Sequence, residues 1–116
     1  MAIKNDYTTL IRSGRYDISV GVVERFWEGG DSGKMVDMPG TFLETKVVLE
    51  GITDRNLSPI EQLAVEHKIV LLEGKKEITN EPEGYVQLYY NDLVKKVQAN
   101  PESYLRDLQQ KVKERL

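Results

Sequence analysis

The most constraining feature of this sequence is a two-residue alternation that begins shortly after its first turn signal. Apolar side chains alternate with mostly polar or small ones, at Tyr16, Ile18, Val20, Val22 and Phe26. Because successive side chains of a strand point to opposite faces, this period predicts a half-buried strand over about 16–27. A later run rich in β-branched residues predicts a second strand over 41–53.

The connection between these strands, residues 27–40, is the most unusual segment of the chain. It holds the only tryptophan, both internal methionines and a cluster of glycines. No crossover helix fits here, so the two strands are expected to form an antiparallel hairpin with this segment as its long tip. Apolar side chains in such a tip need a dry surface, and we therefore predict that Trp27, Met35 and Met38 bind a partner.

The segment before the first strand is predicted to be a helix over 5–13. Asn5 or Asp6 can cap its first turn, and Gly14 can end it. Its apolar side chains recur at helical spacing, at Tyr7, Leu10 and Ile11.

A strong helix start lies at Ser58, with proline at the first helical position. Ser58 can accept from the main chain of Glu61, and the Glu61 carboxylate can reach back, which is the capping-box pattern. We predict a helix over 59–72. The apolar run 69–72 leaves a second interpretation open, a short strand that turns at Gly74.

The C-terminal third predicts two further helices, over 85–99 and 101–116. The last one has an apolar stripe that either packs on the chain's own sheet and helices or is shared with a second subunit. We count four of its residues among the predicted partner-binding residues, namely Tyr104, Leu105, Leu108 and Val112. Strands followed by helices indicate an α+β fold, in which a hairpin or small sheet packs against three to four helices.

Composition limits the classes of function. A chain of 116 residues with 40% hydrophobic and 30% charged residues is expected to form a single domain over 1–116. The net charge of −3 and the interspersed signs disfavour nucleic acid. The chain has no cysteine, no secretion-signal core near its start and no apolar run long enough for a membrane span. We expect a cytoplasmic protein without a cofactor.

Motifs that carry chemistry are weak in this sequence. Gly30–Gly33 resembles a serine-protease nucleophile sequence only in isolation, and the spacing within Gly29–Lys34 fails as a phosphate loop. His67 is the only histidine and is expected to be a partly buried structural residue. The tyrosines at 85, 89 and 90 are expected at the edge of the core. We predict no catalytic residue, metal site or cofactor site.

The sequence favours a non-catalytic protein–protein interaction module that self-associates, with a dimer as the simplest homo-oligomer. It is predicted to contact partners through the 27–40 tip and the C-terminal helix. One alternative is a small-molecule-binding domain or small enzyme, with the 27–40 segment as a lid. Another is a nucleic-acid-associated regulator that uses the terminal helices.

Overall fold

The computed structural model describes residues 2–27, 40–79, 81–82 and 84–116. Four strands form one antiparallel sheet in the order β1-β2-β3-β4, accompanied by helices, which confirms the α+β class. The strands are β1 (Ala2–Ser13), β2 (Tyr16–Trp27), β3 (Gly40–Ile52) and β4 (Val70–Ile78). The helices are α1 (Pro59–Glu66), α2 (Tyr85–Ala99), α3 (Glu102–Leu105) and α4 (Leu108–Arg115).

The helix predicted over 5–13 is wrong, because this segment is strand β1 and pairs antiparallel with β2. Tyr7, Thr9 and Ile11 recur at a two-residue period, whereas Leu10 lies on the opposite face, and the β-branched side chains of the segment favour a strand. Ser13 pairs with Tyr16, so Gly14 and Arg15 form a two-residue hairpin turn. Gly14 has a φ of +62°, the sign that a type II′ turn requires at this position.

The predicted hairpin between 16–27 and 41–53 is confirmed, with β3 displaced by one residue from its expected bounds. The pairing runs from Tyr16 opposite Ile52 to Trp27 opposite Gly40, with an irregularity after Asp17.

The helix predicted over 59–72 is correct at its start and too long. Ser58 and Glu61 form the expected capping box, and Ser58 Oγ accepts from the Glu61 N–H at 3.2 Å. The helix ends at Glu66, and Lys68 turns the chain with a φ of +48°. The run that follows is strand β4, which agrees with the second interpretation of a strand here, but the strand continues through Gly74 to Ile78 beside β3 and does not turn at Gly74.

Helix α2 has the predicted bounds, 85–99. The helix predicted over 101–116 is interrupted, because α3 ends at Leu105 and α4 begins at Leu108. The break lets both pieces reach the core, since α3 contacts β4 whereas α4 contacts α1.

The core lies between one face of the sheet and the helices. Alternate strand residues are buried there, including Ile18, Val20, Val22, Leu43, Val47 and Leu49. The helices contribute Ala64, Val86, Leu93, Val97, Leu105 and Val112 to the same cluster. Helix α2 contacts β1 and β2, and α1 contacts β3. The intervening strand residues stay half-buried or exposed, so the opposite face of the sheet has no helix over it among the described residues.

Candidate interaction surface

The predicted tip of the hairpin lies largely outside the described residues. Met35 and Met38 belong to the undescribed segment 28–39. The backbone of Trp27 is the end of β2 and pairs with Gly40. Partner binding by these three residues stays a prediction.

The stripe of the C-terminal helix is directed into the chain's own core. Leu105 and Val112 are 8% and 3% exposed, and Tyr104 and Leu108 pack half-buried beside them. The structure thus favours the first of the two interpretations of this stripe, packing on its own chain. Partner binding by these residues stays a prediction.

The tyrosines of α2 lie where the sequence places them, at the edge of the core. Tyr85 and Tyr89 have ring centroids 6.2 Å apart. Tyr90 stacks on Tyr7 of β1, with ring centroids 5.4 Å apart. The predicted helix over 5–13 did not indicate this contact.

The open face of the sheet is a candidate surface that the structure adds. Side chains that point away from the helices form ordered rows across the strands. One row runs Asp6, Val23, Glu44, Lys75, and the next runs Thr8, Gly21, Lys46, Glu73. Together with Ser19, Arg25 and Val48 they surround a shallow depression of about 620 Å³. We call this depression the sheet groove.

Charges of both signs line the sheet groove in balance. Arg25 Nε lies 3.1 Å from a carboxylate oxygen of Glu44, on the neighbouring strand. Lys75 Nζ lies 4.8 Å from the centre of the Phe42 ring, at the groove's edge. Lys46 is directly opposite Glu73. This alternation lacks the one-signed field that a polyanion requires, and it suits a partner that carries both charges.

Gly21 forms the centre of the groove floor. Its φ is not in the left-handed region, so the backbone conformation does not require glycine. A Cβ built at this position would meet Thr8 Oγ1 at 3.7 Å and the Lys46 carbonyl oxygen at 3.8 Å, which are ordinary contacts. Since glycine weakens a strand interior, its presence here carries a cost that neither backbone nor packing explains. A larger side chain would fill the groove.

His67 and Ser13 are side chains of types that can take part in catalysis. His67 lies at the end of α1, where its main-chain N–H donates to the Leu63 carbonyl. The residue is exposed, so it is not the partly buried residue expected. The buried hydroxyl of Ser13 is directed at the carbonyls of Val97 and Gln98. No group of three or more acidic or histidine side chains there is arranged to hold a metal ion.

Sequence reasoning missed the sheet groove, because its residues are distant in the chain and become neighbours only through strand register. The glycine at 21 was the one signal within reach, since it interrupts an otherwise strong strand pattern.

None of the described helices combines the length and apolar character needed to cross a bilayer. No family model, curated protein or solved structure was found to match this chain.

Proposed function

We propose that this protein is a non-catalytic interaction module that self-associates and binds a partner protein on the open face of its sheet. The observation that carries the proposal is the sheet groove, with Gly21 at its floor where a larger residue would fit. A strand that gives up stability to keep a surface concave indicates that something occupies the concavity. The proposal places this binding in the cytoplasm, as the composition predicts.

The dimensions of the sheet are suited to such a contact. The strands contain 12, 12, 13 and 9 residues. At about 3.3 Å per residue and about 4.8 Å between strands, the open face covers roughly 700 Å². A standard protein–protein interface buries about 800 Å² on each partner. One face of this size can therefore supply most of a stable contact.

The test is affinity capture from the native host with matched variants. Gly21→Tyr fills the groove with a residue that favours strands, and Leu88→Glu changes a side chain on α2 that is 65% exposed. We expect wild type and Leu88→Glu to retain the same specific partner. Gly21→Tyr should weaken its binding at least about tenfold, equivalent to about 1.4 kcal/mol, in a titration with the purified partner.

The same experiment separates the predicted contact regions. Trp27→Ala reports on the hairpin tip, and Tyr104→Ala reports on the C-terminal helix. If Gly21→Tyr retains every captured protein at wild-type affinity while folding normally, the groove is not the binding surface. Loss of the partner on Trp27→Ala alone would assign the contact to the tip instead.

The two alternative functions stay predictions and have distinct readouts. Thermal stabilisation of the wild type by a metabolite, abolished by Gly21→Tyr, would favour a ligand-binding domain over a protein-binding one. Nucleic-acid binding that weakens steeply with salt would favour the regulator. One cation of the C-terminal helix already has a partner within the chain, because Lys111 Nζ donates to the Leu71 carbonyl oxygen of β4 at 2.5 Å.

A further inference from the structure

The two edge strands of the sheet differ in how they are protected. In the strand order, β1 and β4 are the edges, and each has one side without a neighbouring strand. An uncovered edge presents main-chain N–H and C=O groups that can pair with another strand. Proteins protect such edges with charged side chains, or by covering them.

Strand β4 has both kinds of protection. Its second half carries Glu73, Lys75, Lys76 and Glu77 within five residues. At its start, Lys111 of α4 donates to the Leu71 carbonyl at 2.5 Å and lies 3.4 Å from the Val70 carbonyl oxygen. A strand from another molecule would have to displace this lysine and would meet a row of charges.

Strand β1 lacks this protection in its central part. From Tyr7 to Ile11 it has no charged residue, and these five positions are β-branched, aromatic or leucine. Leu10 is 63% exposed on this strand. Among the described residues, β1 makes its strand pairing with β2 alone. This edge is long, regular after Asn5 and rich in residues that favour strand pairing.

We infer that β1 pairs antiparallel with β1 of a second copy of this chain, about a two-fold axis that passes through Thr9. The inference rests on the self-association in the proposed function and names its surface. It joins two four-stranded sheets into one sheet of eight strands, by the same main-chain pairing that β-strand addition uses. The two-fold symmetry makes each contact occur twice, except that of Thr9 with its own copy on the axis.

Charge selects this register among the symmetric ones. With Thr9 on the axis, Asp6 is opposite Arg12 of the second copy, and by symmetry this opposite-charge pair forms twice. Both side chains are exposed, and Arg12 remains 67% exposed although its Nε lies 3.1 Å from Asp17. Centring on Thr8 would place Asp6 opposite Leu10 and would bring Lys4, in the irregular part of β1, towards Arg12 of the same charge. Centring on Leu10 would leave Asp6 beyond the paired segment.

Apolar complementarity favours the same register. Tyr7 and Ile11 both point to the helix-covered face, and with Thr9 on the axis each lies opposite the other residue in the second copy. On the open face, Leu10 lies opposite Thr8 of the second copy and gains a neighbour on its uncovered side. Because the axis is perpendicular to the sheet, both sets of helices cover the same side, and the two sheet grooves become parts of one open face.

Single cysteines test the register directly, since the chain has no cysteine of its own. Residues directly opposite in an antiparallel pair have Cα atoms about 4.5–5.5 Å apart, within disulfide range, whereas diagonal neighbours are about 7–8 Å apart. Thr9→Cys should therefore form a disulfide-linked dimer under mild oxidation. Thr8→Cys, its matched control on the same strand, should stay largely monomeric on a non-reducing gel.

Charge exchange gives an independent test in solution. Asp6→Arg and Arg12→Asp each place like charges opposite one another twice, so each should weaken the dimer by about tenfold or more in sedimentation equilibrium. An equimolar mixture of the two variants restores opposite charges at both positions and should form a heterodimer of wild-type affinity. Circular dichroism checks that each variant is folded.

The outcomes separate this inference from the proposed function. A wild-type monomer up to about 1 mM would overturn the pairing, and the groove would still be tested by its own variants. A dimer in which neither cysteine cross-links, and which neither charge variant weakens, would place self-association on another surface. Cross-linking through Thr8→Cys in place of Thr9→Cys would overturn the register.

Discussion

Ser13 connects the end of β1 to the end of α2, and its replacement by alanine tests how that junction is stabilised. In a continuing helix the Val97 carbonyl would accept from the N–H of residue 101, but Pro101 has none. The Ser13 hydroxyl, in a side chain only 3% exposed, lies 3.2 Å from the Val97 oxygen and 2.9 Å from the Gln98 oxygen. It supplies the donor that the proline removes.

The magnitude of the loss follows from this geometry. Ser13→Ala removes one hydrogen bond and leaves a carbonyl that water reaches poorly, at a cost of about 1–2 kcal/mol. For a chain of 116 residues, with an unfolding entropy of about 2.1 cal/mol/K per residue, this corresponds to a Tm lowered by about 4–8 °C. Urea denaturation and calorimetry measure both quantities.

The matched control is Ser103→Ala. Its hydroxyl also donates to a main-chain carbonyl, that of Asn100 at 3.0 Å, but the residue is exposed and water can replace it. We expect a change below about 0.5 kcal/mol. If Ser13→Ala costs no more than Ser103→Ala, the buried hydroxyl does not stabilise the end of α2, and the reasoning from the missing proline N–H is refuted.

Two further predictions concern lysines. Lys111→Met should lower the free energy of unfolding by about 1 kcal/mol, because the Val70 and Leu71 carbonyls at the β4 edge lose their donor. It should also increase concentration-dependent aggregation, measured by light scattering. Unchanged aggregation would show that the charged side chains alone protect this edge. The hydrogen bond and charge of Asp92 raise the pKa of Lys96 above its ordinary value of 10.5. Any stabilisation of the folded state by this pair is therefore complete below pH 10.5 and is lost as the pH rises through the raised pKa. An NMR titration should find a lower Lys96 pKa in Asp92→Asn, and the same value in both proteins would contradict the assignment.

The sequence predicted those elements whose signals are local. The alternation from Tyr16 fixed β2, and the capping box at Ser58 fixed the start of α1, because both depend on residues close in the chain. Helix α2 followed from its apolar period. The helix predicted over 5–13 was wrong because Tyr7, Leu10 and Ile11 match a helical spacing, whereas the pairing with β2 that makes this segment a strand is non-local. The preferred helix after Lys68 was also wrong and the alternative strand correct, because the place of this run beside β3 is non-local information.

The candidate surface was less accessible to sequence reasoning than the fold. The rows of the sheet groove depend on the registers of three strand pairs, and a shift of one residue in any strand would move its side chains to the other face. A helix over 5–13 would leave the sheet without β1, and therefore without the Asp6 and Thr8 side of the groove and without the β1 edge. The unexplained glycine at 21 could have suggested a close approach of another molecule.

The sheet groove and the β1 edge are physically connected, because Asp6 and Thr8 belong to both. In the proposed paired sheet each of these residues would gain a neighbour from the second copy, so the β1 side of the groove would continue onto another molecule. A partner that spans this junction would contact both copies and stabilise their pairing as well as its own binding. By thermodynamic linkage, dimerisation must then strengthen partner binding by the same factor. A module built in this way would bind weakly as a monomer and firmly only after it has assembled.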